Sequence, residues 1–237
     1  MSERYARAEV LSPSRWLGAA VKRVEDPRLL RGQGRYLDDL SVPGMLHAAF
    51  VRSPHAHARI AAVEMAAALA APGAVAALCG KDLGAVAPLA PRLEASGFAP
   101  TAWAALAPER ACFAGEPVAV VAALTAYAAA DAAEMVSVDY EPLPALAGLD
   151  AALAPGALRL HAGVPGNVLI RRAHSQGDVD AAFARAAHVI DETFSCGRVS
   201  ASPLEPRGLL ARWEADALTV WTGTQIPFVL RATPCIR

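Results

Sequence analysis

Two short motifs late in the sequence contain the side chains best suited to bind a ligand. The first, Thr222-Gly223-Thr224-Gln225, ends a predicted strand just ahead of Pro227, a residue that suits the first turn of a helix. The neutral amide of Gln225 can both donate and accept hydrogen bonds. The chemistry of this motif therefore fits a cofactor contact and a capping role equally well.

The second motif is Glu205-Pro206-Arg207-Gly208. Pro206 restricts the backbone, and the opposite charges of Glu205 and Arg207 could form an ion pair. An exposed pair of this kind contributes only about 0 to 1 kcal/mol to stability. A structural loop near a sheet edge is therefore the simpler interpretation, and the pair alone does not indicate a site.

Three further patterns favour structural roles. His55 and His57 would share one face of a strand, but no third metal ligand lies near them in the sequence. Gly32-Gln33-Gly34 lacks the third glycine and the following helix of a dinucleotide-binding fingerprint, so it predicts a turn. Asp178 and Asp180 lie at a predicted helix start, where carboxylates cap the helix and oppose its dipole. From these patterns we assign no catalytic residue and no metal ligand.

The composition indicates a folded protein and argues against two classes of partner. Of the 237 residues, 54% are hydrophobic and 19% are charged, which favours a packed core over disorder. The net charge is -1 and no basic stripe is present, so we expect no nucleic-acid partner. No apolar run reaches the roughly 18 to 20 residues of a membrane span, and no signal-peptide core follows the N-terminus. We therefore expect a cytoplasmic protein without a membrane span.

The cysteines are widely scattered and form no Cys-x-x-Cys pair. This spacing argues against a zinc site and against a disulfide scaffold. We predict that all four are buried, reduced thiols: Cys79, Cys112, Cys196 and Cys235.

The order of predicted elements favours an α+β fold, because neither half keeps the regular strand-then-helix alternation of a doubly wound sheet. Thr125 is predicted to cap a helix, and residues 88–108 are predicted to form a long loop. The predicted strands cover residues 45–52, 58–63, 74–79, 117–124, 136–141, 168–173, 188–194, 209–213 and 218–222, and the predicted helices cover residues 64–71, 126–135 and 179–186. The last two strands are predicted to form a hairpin without an ideal two-residue turn.

Six blocks of sequence, taken in order, resemble the N-terminal part of the molybdenum-binding large subunit of the xanthine dehydrogenase, aldehyde oxidase and aerobic carbon monoxide dehydrogenase family. The Glu-Pro-Arg-Gly variant is more similar to the carbon monoxide dehydrogenase-like bacterial branch than to the animal xanthine enzymes. The blocks are residues 23–36, 43–58, 115–121, 138–144, 177–183 and the pair formed by Glu205 to Gly208 with Thr224-Gln225.

The resemblance implies a domain order within the α+β class. An a/b hammerhead domain would be followed by the incomplete start of a molybdopterin-binding α+β domain. The implied boundaries are an N-terminal arm at residues 1–31, the hammerhead domain at 32–144, a linker at 145–166 and a partial molybdopterin-cofactor-binding domain at 167–237.

The resemblance also implies a chemistry that belongs largely to a cofactor. Members of the family oxidise an aldehyde, an N-heterocycle or carbon monoxide with water as the oxygen donor. The implied cofactor is molybdenum-molybdopterin, in its cytosine dinucleotide form. Carried over by motif, Gln225 is the residue whose amide would hydrogen-bond an oxygen ligand of the molybdenum.

The implied partners are an iron-sulfur subunit and an FAD subunit of a heterotrimeric complex that can dimerise, together with a small-molecule substrate. The family's glycine-rich cofactor loop and its catalytic glutamate have no counterpart in this sequence, and Glu205 belongs to a different motif. We therefore expect a fragment that is inactive by itself. The alternative is a non-enzymatic hammerhead interaction module that docks on partner subunits.

Overall fold

The computed structural model describes residues 19–84, 86–89, 91, 93 and 95–232. Contacts between residues divide the chain into two compact units. The sheet unit comprises residues 42–199 and 228–237, and the hairpin unit comprises residues 1–41 and 200–227. The predicted arm at residues 1–31 and the cysteine Cys235 lie largely or wholly outside the described residues.

The described residues form eight strands, six α-helices and three short 3-10 turns. The strands are β1 (His47–Arg52), β2 (Ala58–Glu64), β3 (Ala74–Cys79), β4 (Arg110–Ala111), β5 (Pro117–Ala123), β6 (Ser137–Pro142), β7 (Leu209–Glu214) and β8 (Ala217–Thr222). The helices are α1 (Asp26–Leu29), α2 (Ala66–Leu69), α3 (Ala126–Glu134), α4 (Leu149–Leu153), α5 (Val179–Arg185) and α6 (Pro227–Arg231). The 3-10 turns are Leu37–Asp39, Gly80–Leu83 and Pro165–Asn167.

The first sheet of the sheet unit has the strand order β1-β5-β3, with both pairs antiparallel. The central strand β5 confirms the predicted strand at 117–124, and its side chains alternate between the two faces of the sheet. Val121 and Ala123 are fully buried on one face, and Val118 is fully buried on the other. The face that carries Val121 packs with Ala68 and Ala132, from helices α2 and α3.

Helix α3 begins where the sequence predicts. The Ala128 N–H donates to the Thr125 hydroxyl oxygen at 3.1 Å, which satisfies one of the free donors of the first helical turn. Its small side chains Ala129 and Ala132 are buried, while Asp131 is exposed. An alanine face therefore lets the helix lie close to the sheet.

The second sheet has the strand order β4-β2-β6, again antiparallel. Its inner side contributes Ile60, which forms a core cluster with Val118 of the first sheet and Ala107 of the preceding loop. The backbone of that loop adds two bonds, from Ile60 N to the Glu109 carbonyl at 2.8 Å and from Ala107 N to the Pro117 carbonyl at 2.8 Å. The described residues of the predicted loop at 88–108 form no helix and no strand beyond an isolated bridge between Leu89 and Trp103, and Ala107 near its end is buried in the core.

Two predicted strands are wrong. Residues 168–173 and 188–194 have no regular secondary structure, and every residue from 182 to 204 is exposed. An extended segment becomes a strand only when its backbone N–H and C=O groups find a partner. Among the described residues, neither segment has a neighbouring strand to pair with. Within residues 168–173, the Leu169 carbonyl accepts a single hydrogen bond from the Ala99 N–H at 2.8 Å.

The hairpin unit is built on the antiparallel pair β7 and β8. The sequence predicted this hairpin without an ideal turn, whereas the structure has a two-residue connection, Ala215-Asp216, with φ of 48° and 61°. Positive φ at both positions is the conformation of the turn that matches strand twist. It is uncommon for residues other than glycine, so the sequence signal for this turn was weak.

The described residues before Val42 belong to the same compact unit as residues 200–227, although the two segments are far apart in the sequence. The predicted domain boundaries at 31/32, 144/145 and 166/167 follow the chain order and stay a prediction. Within the predicted linker, residues Leu149–Leu153 form the short helix α4.

Gly80 tests the packing of the sheet unit. A Cβ atom at this buried position would lie 2.6 Å from the Pro108 Cα, against rigid backbone. We expect Gly80→Ala to lower the free energy of unfolding by about 1 to 3 kcal/mol, the usual cost of overpacking. Urea denaturation followed by circular dichroism would measure the change.

Gly84→Ala is the matched control, because its nearest neighbour would be the Lys81 carbonyl oxygen at 3.8 Å. This variant should be as stable as the natural chain or slightly more stable. Equal stability of the Gly80 and Gly84 variants would contradict the close packing described here.

The cysteines differ in environment, and the prediction that all are buried is wrong for Cys196. Cys79 is buried and Cys196 is exposed, while Cys112 is half-buried and its pKa is raised first by burial and then by the Glu116 carboxylate.

The thiolate is the reactive form of cysteine. We expect iodoacetamide to label Cys196 several-fold faster than Cys112 or Cys79, as measured by peptide mass spectrometry. Preferential labelling of Cys112 in the native chain would show that its environment is wrongly described.

Candidate functional site

Gln225 lies in the connection between β8 and α6. Residues 223–229 are all exposed, and the Gln225 side chain makes no hydrogen bond to any other described residue. The preceding residue shapes the backbone, because the Ile226 N–H donates to the Thr224 hydroxyl oxygen at 3.1 Å. The amide of Gln225 is therefore available to an external ligand.

Glu205 does not form the predicted ion pair with Arg207, since no such pair occurs among the described residues. Its Oε1 instead accepts a hydrogen bond from the backbone N–H of Leu37 at 2.7 Å, across 168 residues of sequence. Leu37 begins the turn Leu37–Asp39, whose first N–H has no partner inside the turn. A local pattern could indicate that this donor needs an acceptor, but it could not identify Glu205.

Gly208 allows the motifs to pack closely, and Gly223 lies beside Glu205. A Cβ atom at Gly208 would lie 2.6 Å from the Leu37 Cδ2, and one at Gly223 would lie 3.5 Å from the Glu205 Oε2. The Thr222 hydroxyl donates to the Gly208 carbonyl at 2.8 Å. The structure thus brings the Glu-Pro-Arg-Gly and Thr-Gly-Thr-Gln motifs together and adds Leu37, which the sequence reasoning missed.

The described residues supply an amide but no complete cofactor site. Gln225 is exposed and lines neither of two clefts of about 300 Å³ and 260 Å³, which lie in the sheet unit. No three His, Cys, Asp or Glu side chains converge as metal ligands within the described chain. The described residues by themselves therefore supply one hydrogen-bonding group for a cofactor, and a complete site would need further contacts.

His55 and His57 occupy different environments in the connection between β1 and β2. The Nδ1 of His57, which is buried, lies 2.7 Å from the Pro144 carbonyl oxygen. His55 packs edge-on against the ring of Tyr140 with centroids 5.1 Å apart, and burial raises the pKa of Tyr140. Both histidines are thus used in packing a strand connection.

The larger cleft is lined by charged side chains. Arg59 and Glu141 form a two-bonded ion pair across β2 and β6, one bond being 2.6 Å from Nε to Oε2. The Arg59 guanidinium lowers the pKa of Glu141, and the Glu141 carboxylate raises that of Arg59. Nearby, the Cys79 N–H donates to Asp82 at 2.7 Å and lowers the pKa of that carboxyl. These charges satisfy one another or neighbouring backbone at the surface.

The carboxylates at the start of α5 act as predicted. The Ala181 N–H donates to the Asp178 Oδ1 at 2.9 Å, so Asp178 is the helix cap, and Asp180 lies in the first turn. A catalytic role for this pair has no support in its geometry.

No helix within the described residues has the length and the apolar character that a membrane span needs.

Two family models match this chain, in the order that the sequence blocks predict. The model described as the aldehyde oxidase and xanthine dehydrogenase a/b hammerhead domain matches residues 31–144. The model described as the molybdopterin cofactor-binding domain matches residues 160–235. The second match includes Glu205, Gln225 and the hairpin between them.

Relatives with known names are similar over most of this chain. The nicotine 6-hydroxylase large subunit of Paenarthrobacter nicotinovorans is 38% identical over 91% of this chain and 27% of its own length. The carbon monoxide dehydrogenase large chain of Afipia carboxidovorans is 39% identical over 91% of this chain and 28% of its own length. The chain thus spans about a quarter of the length of these relatives.

A solved structure agrees with these matches. Quinoline 2-oxidoreductase from Pseudomonas putida 86 superposes with a TM-score of 0.82 and 43% identity, covering 90% of this chain and 27% of that one. The chain has an α+β fold, with an a/b hammerhead domain and the start of a molybdopterin cofactor-binding domain. It belongs to the aldehyde oxidase and xanthine dehydrogenase family.

Proposed function

We propose that this chain supplies the hammerhead domain and the beginning of the cofactor-binding domain of a molybdenum hydroxylase large subunit. The observation that carries the proposal is the match of residues 160–235 to the molybdopterin cofactor-binding domain. Within that range, the Gln225 amide is exposed and has no hydrogen-bond partner among the described residues. An uncommitted amide at a strand end is suited to bind a polar cofactor.

We propose that the reaction served is the oxidation of an aldehyde, an N-heterocycle or carbon monoxide with water as the oxygen donor. Support comes from the relatives, which are named as a nicotine 6-hydroxylase large subunit and carbon monoxide dehydrogenase large chains. The described residues contain no side chain assigned as a catalytic base. The activity would therefore belong to an assembly larger than the described residues.

The proposed cofactor is molybdenum-molybdopterin in its cytosine dinucleotide form, with Gln225 as one hydrogen-bond contact. The proposed partners are an iron-sulfur subunit and an FAD subunit, in a complex that can dimerise. Relatives named as a large subunit and as subunit gamma of a dehydrogenase complex support a multi-subunit assembly. The cytoplasmic location expected from the sequence stays a prediction.

A chimera can test the cofactor contact. Residues 19–232 would replace the aligned first quarter of the Afipia carboxidovorans carbon monoxide dehydrogenase large chain, expressed with its own partner subunits. We expect the chimera to contain molybdenum by mass spectrometry. Gln225→Ala should lower turnover or molybdenum content by about two- to tenfold, because one lost hydrogen bond costs about 0.5 to 1.5 kcal/mol.

Thr219→Ala is a suitable control in the same chimera, because this residue lies on β8 and none of the contacts described around Gln225 uses it. It should leave turnover and molybdenum content unchanged. A folded, fully assembled chimera without molybdenum would contradict the proposed function. Full activity of the Gln225→Ala chimera would contradict the proposed contact.

The second candidate function, a hammerhead module that docks on partner subunits, is favoured by one face of the first sheet. Phe50 and Leu78 both lie opposite Val120 in the strand register, so the three side chains form one row on one face. Phe50 is 50% exposed and Leu78 is 43% exposed. Helix α3 covers the other face, which carries Val121, and the second sheet covers the part of the Phe50 face near Val118.

A charged residue in this row should prevent docking without unfolding the chain. We expect Phe50→Lys to abolish co-purification with the iron-sulfur and FAD subunits of the chimera, since a buried unpaired charge is strongly unfavourable. Tyr127→Lys, at an 83% exposed position on α3, is the control and should leave assembly intact. Normal assembly of the Phe50 variant would show that this face does not dock on those subunits.

A further inference from the structure

We propose that Glu205 is a positioning residue for Gln225. Its carboxylate joins the turn Leu37–Asp39 to the end of the β7–β8 hairpin, and this junction sets the backbone that directs the Gln225 amide. The inference rests on the proposed function only in taking Gln225 as the cofactor contact. All the residues of the junction belong to the hairpin unit.

The first part of the junction is the bond from the Leu37 N–H to the Glu205 Oε1 at 2.7 Å. The turn that begins at Leu37 supplies no acceptor for this donor, whereas the Tyr36 N–H already donates to the Asp39 carboxylate at 2.8 Å. A half-buried carboxylate that accepts from a backbone N–H makes a strong, charge-assisted hydrogen bond. Glu205 thus completes the hydrogen bonding of a turn that lies 168 residues earlier in the sequence.

The second part is the contact of the other carboxylate oxygen with the strand end. The Glu205 Oε2 lies 3.5 Å from the position that a Cβ would take at Gly223. Gly223 follows β8 directly and precedes Gln225 by two residues. The carboxylate therefore lies between the Leu37 backbone and the segment that leads to Gln225.

The third part is the packing of the Leu37 side chain. The Leu37 Cδ2 occupies the space beside Gly208, where a Cβ would lie only 2.6 Å away. The Gly208 carbonyl in turn accepts a hydrogen bond from the Thr222 hydroxyl at 2.8 Å. The early turn therefore contacts the start of β7 and, through it, the end of β8.

These contacts matter for Gln225 because its own side chain has no hydrogen-bond partner among the described residues. The direction of its amide therefore depends on the backbone of residues 222–224, which the junction holds. No hydrogen bond joins Glu205 to Gln225, and the Glu205 Oε1 accepts from Leu37, so its proposed role is positioning and not catalysis.

Amide NMR of the full 237-residue chain without cofactor would test the inference. We expect Glu205→Ala to speed hydrogen exchange of the Leu37 amide by about tenfold or more, because a charge-assisted bond is lost. The side-chain amide signal of Gln225 should shift or broaden in the same variant. Glu192→Ala is the matched control, because Glu192 is exposed in an irregular segment, and it should change neither signal.

Two conservative variants distinguish the effect of side-chain length at position 205 from the effect of its charge. They also replace the alanine variant if that variant fails to fold. Glu205→Gln keeps an acceptor oxygen at the same reach and should restore the protection of Leu37 and the Gln225 signal. Glu205→Asp keeps the charge but is one methylene shorter, so it should behave as the alanine variant does. If Glu205→Ala acted only by loosening the packing in general, the glutamine variant would not restore the Leu37 and Gln225 signals while the aspartate variant failed to do so.

An unchanged Gln225 signal in Glu205→Ala and Glu205→Asp would overturn the inference, whatever the molybdenum content of the chimera. A changed signal in these variants supports it, even if Gln225→Ala proves harmless to the chimera. A harmless Gln225→Ala variant would contradict the proposed cofactor contact but would leave the positioning role of Glu205 intact. The two failures are therefore distinguishable.

Discussion

The central strand β5 is the constraint on which the sheet unit depends. It pairs with β1 on one side and β3 on the other, so all its backbone bonds are made within the protein. Its two faces are then free to bury side chains in opposite directions. Val121 faces the alanine helices, and Val118 faces Ile60 of the second sheet. A single strand therefore joins three layers of structure, which explains its burial and its unbroken apolar sequence.

The hairpin unit needs contacts beyond its two strands, because a two-stranded hairpin alone buries little apolar surface and is only marginally stable. Here the early turn at Leu37–Asp39 adds a second packing surface, and Glu205 supplies the polar link between them. The glycine at 208 leaves room for the Leu37 side chain. The result holds the exposed Gln225 segment next to a small, satisfied cluster of contacts, which is the arrangement that a ligand-binding loop needs.

Family membership gives these contacts a functional context. The two matched families are the aldehyde oxidase and xanthine dehydrogenase a/b hammerhead domain and the molybdopterin cofactor-binding domain, yet this chain spans about a quarter of the length of its named relatives. The apolar row of Phe50, Val120 and Leu78, in which Phe50 and Leu78 are exposed, and the exposed segment at residues 182–204 are surfaces that an assembly could cover. A complete cofactor site would need contacts beyond those that the described residues make.

The sequence by itself determined the local features and the family. Thr125 and Asp178 cap helices where predicted, and β5 lies where its apolar run indicates, because capping and periodicity depend on neighbouring residues. Only the tertiary structure decided that Glu205 binds the Leu37 N–H and not Arg207, and that residues 188–194 remain irregular. Both outcomes depend on which distant backbone groups come within hydrogen-bond distance, and no local pattern of residues encodes that choice.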